Sequence, residues 1–200
     1  GKGGLVRGAE TDLQHDVIKI DPDELRKYHP DIRQFQESHP YTWSSYTHPD
    51  ASAWCDKLLS ATVAGKKNLI FDTTLSNGEW SSKLIKDLQA TGYTVEVRAI
   101  ASPKLESELG VDKRFTDGID HDGSGRYVPV GARDAIYGKL PDSLNIVHDR
   151  TDVQIRIFNR EGKELYDSQT SPKLPGLALQ EARDERLKVP SITHQLRDGW

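Results

Sequence analysis

The chain has 200 residues, 35% hydrophobic and 29% charged, with 27 Lys and Arg against 31 Asp and Glu for a net charge of −4. This length suits one domain of the usual size, about 100–200 residues, with the composition of a globular chain rather than a disordered one; the acidic balance argues against a nucleic-acid partner, which asks for a basic face. No apolar run approaches the roughly 20 residues of a membrane-spanning helix, the lone Cys55 excludes an intramolecular disulfide and a multi-cysteine zinc site, and no secretory leader is visible, so a cytoplasmic setting is expected.

In chain order, Gly1-Lys2-Gly3-Gly4 leads into a helix-length stretch. Val17-Ile18-Lys19-Ile20 is short and β-branched and runs into Asp21-Pro22-Asp23, a strand followed by a turn or helix start. Asp21 or Asp23 caps a helix through Glu24, Leu25 and Arg26. Residues 28–48, rich in aromatics and His, read as loop with short helical pieces. From Pro49 the pattern is helical, with Trp54, Leu58, Ala61 and Thr62 on one face, and Gly65 ends it. Asn68-Leu69-Ile70-Phe71-Asp72 reads as a buried strand of a parallel sheet. A helix over 78–90 follows, with Trp80, Leu84, Ile85 and Leu88 on one face, stopped by Thr91-Gly92. A strand spans 93–101, and Ser102-Pro103 opens a helix ending near Phe115. Residues 116–125, rich in Gly and Asp, read as a mobile loop. A helix covers about 129–138, a strand 153–159, a turn 160–163 and a strand 164–166. A charged helix over about 177–187 is the one element expected after Ser171.

Alternating strands and helices predict an α/β fold with a mainly parallel sheet. Ligands in such folds sit beyond the carboxyl ends of the strands, where Asp21, Asp23, Asp72 and Thr74 fall. Gly1-Lys2 matches the end of a P-loop, whose backbone N–H groups wrap phosphates while the Lys meets the β and γ oxygens. Asp23, near a phosphoryl acceptor, could take up a hydroxyl proton; equally, Asp21 or Asp23 could serve only as a cap. Asp72-Thr73-Thr74 has the form of a Walker-B-type strand end, or of a polar strand end facing water. Arg114 and Arg126 flank the predicted loop, where guanidinium groups would offset phosphoryl charge. Asp117, Asp120 and Asp122 miss the calcium-loop spacing. The seven His show no paired metal-ligand spacing. Cys55 beside Trp54 reads as a packed small hydrophobe.

The order of these pieces resembles the zeta toxin family of bacterial toxin–antitoxin kinases. The pieces are the strand before Asp21-Pro22-Asp23-Glu24-Leu25-Arg26, His29-Pro30, Thr47-His48-Pro49, Asn68 through Thr74, Gly92-Tyr93-Thr94-Val95 and Arg126-Tyr127-Val128-Pro129. The resemblance runs from Gly1 to about Ser168. It implies a P-loop kinase of three layers, with residues 1–170 as the kinase domain and 171–200 as a helical tail. It implies transfer of the γ-phosphate of ATP, with Mg²⁺, to the 3′-hydroxyl of the sugar of UDP-N-acetylglucosamine, and a cognate antitoxin that blocks the ATP site. By motif, the phosphate-binding lysine falls on Lys2, with Gly1, Gly3 and Arg114 at the nucleotide. The catalytic aspartate falls on Asp23, with Arg126 beside Arg114 as the second phosphate clamp. Arg26, Asp56, Asp72 and Thr74 fall on the acceptor side. The chain departs from the pattern in having Gly3 where the family has Ser or Thr, and Asp at 56 and 72 where family examples have Glu. The first half of the P-loop and its strand are expected to precede Gly1. Two other readings keep the same residues: a kinase of another nucleotide such as NAD, or a degenerate module that binds a nucleotide or partner without turnover.

Overall fold

A computed structural model describes residues 2–198. Its elements in chain order are α1 (Lys2–Asp12), β1 (Ile18–Ile20), α2 (Pro22–Arg26), α3 (Ile32–Ser38), α4 (Trp43–Ala64), β2 (Leu69–Phe71), α5 (Gly78–Ala90), β3 (Glu96–Ile100), α6 (Lys104–Asp122), α7 (Val130–Arg150), β4 (Gln154–Phe158), β5 (Glu164–Asp167), α8 (Pro175–Leu187) and α9 (Pro190–Asp198). The α/β alternation expected from the sequence is present. Two of the three strand pairings among the described residues are parallel: β1 with β2, in the register Ile18 to Leu69, and β3 with β4, in the register Glu96 to Gln154. β5 adds to β4 antiparallel.

These elements form two compact units. One comprises residues 10–73 and 108–129. Its centre is the half-buried β1/β2 pair with α2 and the long α4, around Ile20, Trp43, Thr47, Ala51 and Cys55, each under 9% exposed. The helix α2 starts where the sequence places it: the Asp21 side chain accepts from the Asp23 N–H at 2.9 Å, and Pro22 takes the first helical position, where no N–H is needed. The β1/β2 ladder continues one step past Phe71, the Asp72 N–H donating to Ile20 O at 2.9 Å.

The other unit comprises residues 2–9, 74–107 and 130–198. The three-stranded sheet β3-β4-β5 carries its core: Val97, Ala99, Ile155, Ile157 and Tyr166 meet Ile85 of α5, Leu144 and Val147 of α7, and Leu179 of α8. α5 and α7 approach closely at Gly78, where an added Cβ would stand 2.9 Å from Ser143 O. The β4–β5 hairpin turns where expected, with Gly162 at φ +88 and the Asn159 side chain accepting from the Glu161 and Lys163 N–H groups.

Several expected boundaries are corrected. α4 begins at Trp43, six residues before Pro49, which lies inside the helix. Pro49 withholds the N–H that would reach Ser45, but Ser45 is exposed, so water can take its carbonyl. The added turns bury Trp43 and Thr47. Of the expected α4 face Thr62 is buried, Trp54 and Leu58 are half-buried and Ala61 is exposed, while the buried stripe runs through Trp43, Thr47, Ala51, Cys55 and Thr62. On α5, Trp80 is 45% exposed, and Ser81 and Ser82 take the buried face with Ile85 and Leu88. α6 runs to Asp122, so residues 116–122 are helix rather than loop.

α7 continues twelve residues beyond 138, through Pro141. Proline has no N–H for the Tyr137 carbonyl. Arg183 of α8 supplies the missing donor, its Nη2 donating to Tyr137 O at 3.3 Å while its guanidinium stacks over the Tyr137 ring at 3.6 Å. The tail holds a second helix, α9, which carries only Ile192 and Leu196 as large apolar residues.

Candidate functional site

Asp23 is the second residue of α2, just past the carboxyl end of β1. Two arginines face its carboxylate. Arg126 Nη1 donates to Oδ2 at 2.6 Å, across 103 positions of sequence. Arg26 Nε, one helical turn on, lies 3.8 Å from Oδ1. The two guanidiniums differ in setting. Arg126 is 40% exposed at its side chain, whereas that of Arg26 is 5% exposed. Burial, and next the charge of Arg126, hold the Arg26 pKa below its ordinary value. Arg26 is secured from α4: Nη1 donates to Ser44 O at 3.4 Å and Nη2 lies 2.8 Å from His48 Nδ1.

Arg126 is placed by the chain just before it. Gly123, at φ +69, turns the backbone after α6. The returning segment lies so close to the helix that a Cβ at Gly125 would overlap the Phe115 carbonyl, and one at Gly118 would stand 2.9 Å from the Gly125 Cα. Trp43 Nε1 donates to Gly125 O at 3.0 Å in a buried bond. Tyr41, Phe115 and Tyr127 close the segment with ring centroids 5.7–6.0 Å apart. Gly118 and Gly125 therefore serve close approach, and Gly123 the turn.

The other expected residues divide. Asp56 is exposed on α4, next to Cys55. Cys55 is 4% exposed, and burial first, then the charges of Asp21 and Asp56, raise its thiol pKa. This fits its reading as a packed residue. Asp72 is half-buried at the end of β2. Arg114 is not brought to Asp23: it is exposed on α6 and its Nε donates to Gly110 O, 3.1 Å away on the same helix. Thr74 belongs to the other unit, its Oγ1 2.9 Å from Ser76 Oγ. Lys2 and Gly3 form the exposed first turn of α1, also in that unit, and Gly4 faces open space. Gly1 lies outside the described residues.

His48 and Trp43, which residue patterns did not assign, hold Arg26 and the segment carrying Arg126 in place. The sequence offered Thr47-His48-Pro49 only as a fragment of a pattern, and nothing local tied it to Arg26. Among the described residues no group of three or more His, Cys, Asp or Glu could hold a metal ion, and no helix is long and apolar enough to cross a membrane.

Comparison with known proteins adds the following. The family model described as zeta toxin matches residues 1–171. Toxin zeta of Streptococcus pyogenes is 28% identical over 177 residues, covering 87% of this chain and 61% of that protein. Toxin PezT of Streptococcus pneumoniae serotype 4 is 25% identical over 183 residues, covering 90% of this chain and 72% of that one. Thus the chain spans about three fifths of the length of the zeta toxins it matches. A solved structure from the PezAT chromosomal toxin–antitoxin system of Streptococcus pneumoniae shares its fold, with a TM-score of 0.87 at 22% identity, covering 100% of this chain and 79% of that one.

Proposed function

The chain belongs to the zeta toxin family, and from that premise we propose that it is the toxin of a toxin–antitoxin pair: a kinase moving the γ-phosphate of ATP to the 3′-hydroxyl of the sugar of UDP-N-acetylglucosamine. Its product would be useless for cell-wall synthesis. The observation that carries this reading is the Asp23 carboxylate at the end of β1, met by Arg126 at 2.6 Å and by Arg26 at 3.8 Å. Phosphoryl transfer needs a proton acceptor for the attacking hydroxyl and positive charge for the moving group, and little else from the protein.

In this mechanism Asp23 takes the proton of the acceptor hydroxyl as its oxygen bonds to the γ-phosphorus. The bond from that phosphorus to the β–γ bridging oxygen breaks, and ADP leaves. Arg126 passes from Asp23 to the phosphoryl oxygens, where a planar guanidinium can hold two at once. Lys2 and the N–H groups of the first turn of α1 take the nucleotide's phosphates, since a helix start presents unpaired donors and partial positive charge. The donor set fits magnesium only as an ion arriving on the nucleotide: Gly3 replaces the usual hydroxyl ligand, and no described cluster would hold the ion alone. Bound there, it would neutralise charge on the β and γ oxygens. Asp56 and Asp72 orient the acceptor, and Arg114 assists at the phosphates. A cognate antitoxin is the expected protein partner, in keeping with the toxin–antitoxin source of the matching structure.

Asp56 and Asp72 reach one methylene less far than Glu, which favours testing a second acceptor. Purified protein, labelled ATP and a panel of UDP-N-acetylglucosamine, other nucleotide-sugars and NAD is the experiment. Labelled UDP-N-acetylglucosamine, lost in Lys2→Ala, is the expected result. Labelled NAD alone would overturn the acceptor and keep the kinase. No labelled product, with no ATP binding, would overturn both.

A further inference from the structure

Arg26 is the most confined charge in the Asp23 site. It is 4% exposed, and its Nε has no hydrogen-bond partner. Its orientation rests on Ser44 O and on His48 Nδ1, at 3.4 and 2.8 Å. A guanidinium only donates hydrogen bonds. Nδ1 of His48 must therefore present a lone pair to it, and the neutral ring must carry its proton on Nε2. A protonated ring would set N–H against N–H and add a cation beside two others.

We propose that His48 is a positioning residue: in its neutral Nε2–H form it holds the Arg26 guanidinium against Asp23, and its protonation releases Arg26 and turns phosphoryl transfer off. This rests on the reading of Asp23 as the proton acceptor. The groups acting on His48 are Arg26 and Asp23 from α2 and Arg126 from the segment after α6. Partial burial first, then the two arginines, keep the ring neutral, and Asp23 opposes them. Nearby on α4, Asp50 is engaged elsewhere, 2.9 Å from His29 Nε2. The His29 Nδ1 accepts from the Asp31 N–H, which fixes the proton of that ring on Nε2, toward Asp50. The two histidines thus share a tautomer for different reasons, and only His48 has a cation as its donor.

Asparagine places its amide oxygen where imidazole places Nδ1, so His48→Asn can still accept from Arg26, and it does not titrate. Phenylalanine fills the space and accepts nothing. The test measures kcat and KM from pH 5 to 8 for wild type, His48→Asn and His48→Phe, with ring ¹⁵N–¹H spectra of His48 in the wild type. His48→Phe is expected to lose about tenfold or more in kcat at neutral pH, because a bond to a charged donor is lost, with the KM for ATP within about twofold. His48→Asn is expected to recover kcat to within about threefold of wild type and to lack the wild-type fall in rate at acid pH. The wild-type spectrum is expected to show the Nε2–H tautomer at pH 7. An Nδ1–H tautomer or a charged ring at pH 7 would overturn the proposal. So would a His48→Asn variant as impaired as His48→Phe, or one retaining the acid fall. If the wild type phosphorylates no acceptor, the kinase reading fails alone, and the ring spectrum decides the His48–Arg26 arrangement. If His48→Phe does not fold, the asparagine variant and the spectrum decide.

Discussion

Asp23 meets two guanidiniums of opposite character. Arg126 is partly exposed, whereas Arg26 is walled in by α4. Replacing Arg126 by Lys keeps the charge and loses the planar fork. Arg126→Lys is expected to lower kcat by roughly ten- to a hundredfold while leaving the KM for ATP little changed, as for a contact made chiefly in the transition state; equal losses in both constants would contradict that role. Cys55 gives a second check at this scale. Its buried thiol, raised by burial and neighbouring carboxylates, is expected to resist iodoacetamide at pH 8 in the native protein and to react once urea unfolds it. Asp23, Arg26 and Arg126 were singled out because their order resembles a family pattern, and the structure brings their side chains together. His48 and Trp43 were not singled out, because Arg26 and His48 are 22 positions apart, and Trp43 and Gly125 are 82. Only the packing of one element on another joins such pairs.

At the scale of elements, two helices run further than their local sequence suggested. Gly118 and Gly125 suggested looseness, yet they let the segment after α6 lie against that helix and deliver Arg126. Gly125→Ala is expected to displace this segment. Its loss of kcat should nearly vanish when measured in an Arg126→Ala background, since residues acting through one another do not add; an undiminished loss there would mean that Gly125 acts on folding alone. The helix expected over about 129–138 instead runs on through Pro141 to Arg150, and Arg183 answers the carbonyl that Pro141 leaves unpaired. Arg183→Met is expected to cost about 1–3 kcal/mol of stability, the usual cost of a buried group left unpaired. Pro141→Ala, by restoring an N–H to Tyr137, is expected to recover part of that loss in urea unfolding. By contrast, β1, β2, α2, α5 and the β4–β5 hairpin were legible because caps, β-branched runs and turn residues act locally. The passage of α7 through Pro141 depends on Arg183, 46 positions from the Tyr137 carbonyl it meets, and no local rule reports it.

Across the molecule, the unit built on β3-β4-β5 is held by apolar packing that one truncation should expose. Leu144 is fully buried, and Leu144→Ala is expected to cost about 2–5 kcal/mol in denaturant unfolding. The tail helix α8 is part of this unit, tied by Arg186 to Glu106 at 2.6 Å and to Glu161 at 2.8 Å. The Arg186 hydrogen bond holds the Glu161 pKa below the usual carboxylate value. A carboxylate depressed by folding adds stability above its unfolded pKa, and the gain is lost as pH falls through the folded value. The Tm difference between wild type and Arg186→Met is therefore expected to be full above pH 5 and to shrink as pH falls below 4. Fold class was visible in the alternation of strands and helices, and the match to the PezAT structure bears it out at a TM-score of 0.87. The division into two units was not visible, because each is assembled from separate stretches of chain. The central claim is that Asp23 accepts the proton in phosphoryl transfer, and the most direct measurement is single-turnover transfer from labelled ATP to UDP-N-acetylglucosamine in wild type and Asp23→Asn. Asparagine keeps the shape and gives up the base. The account predicts a loss of at least about a hundredfold in the transfer rate, the low end of general-base contributions, with ATP binding intact. Transfer at near the wild-type rate in Asp23→Asn would contradict it.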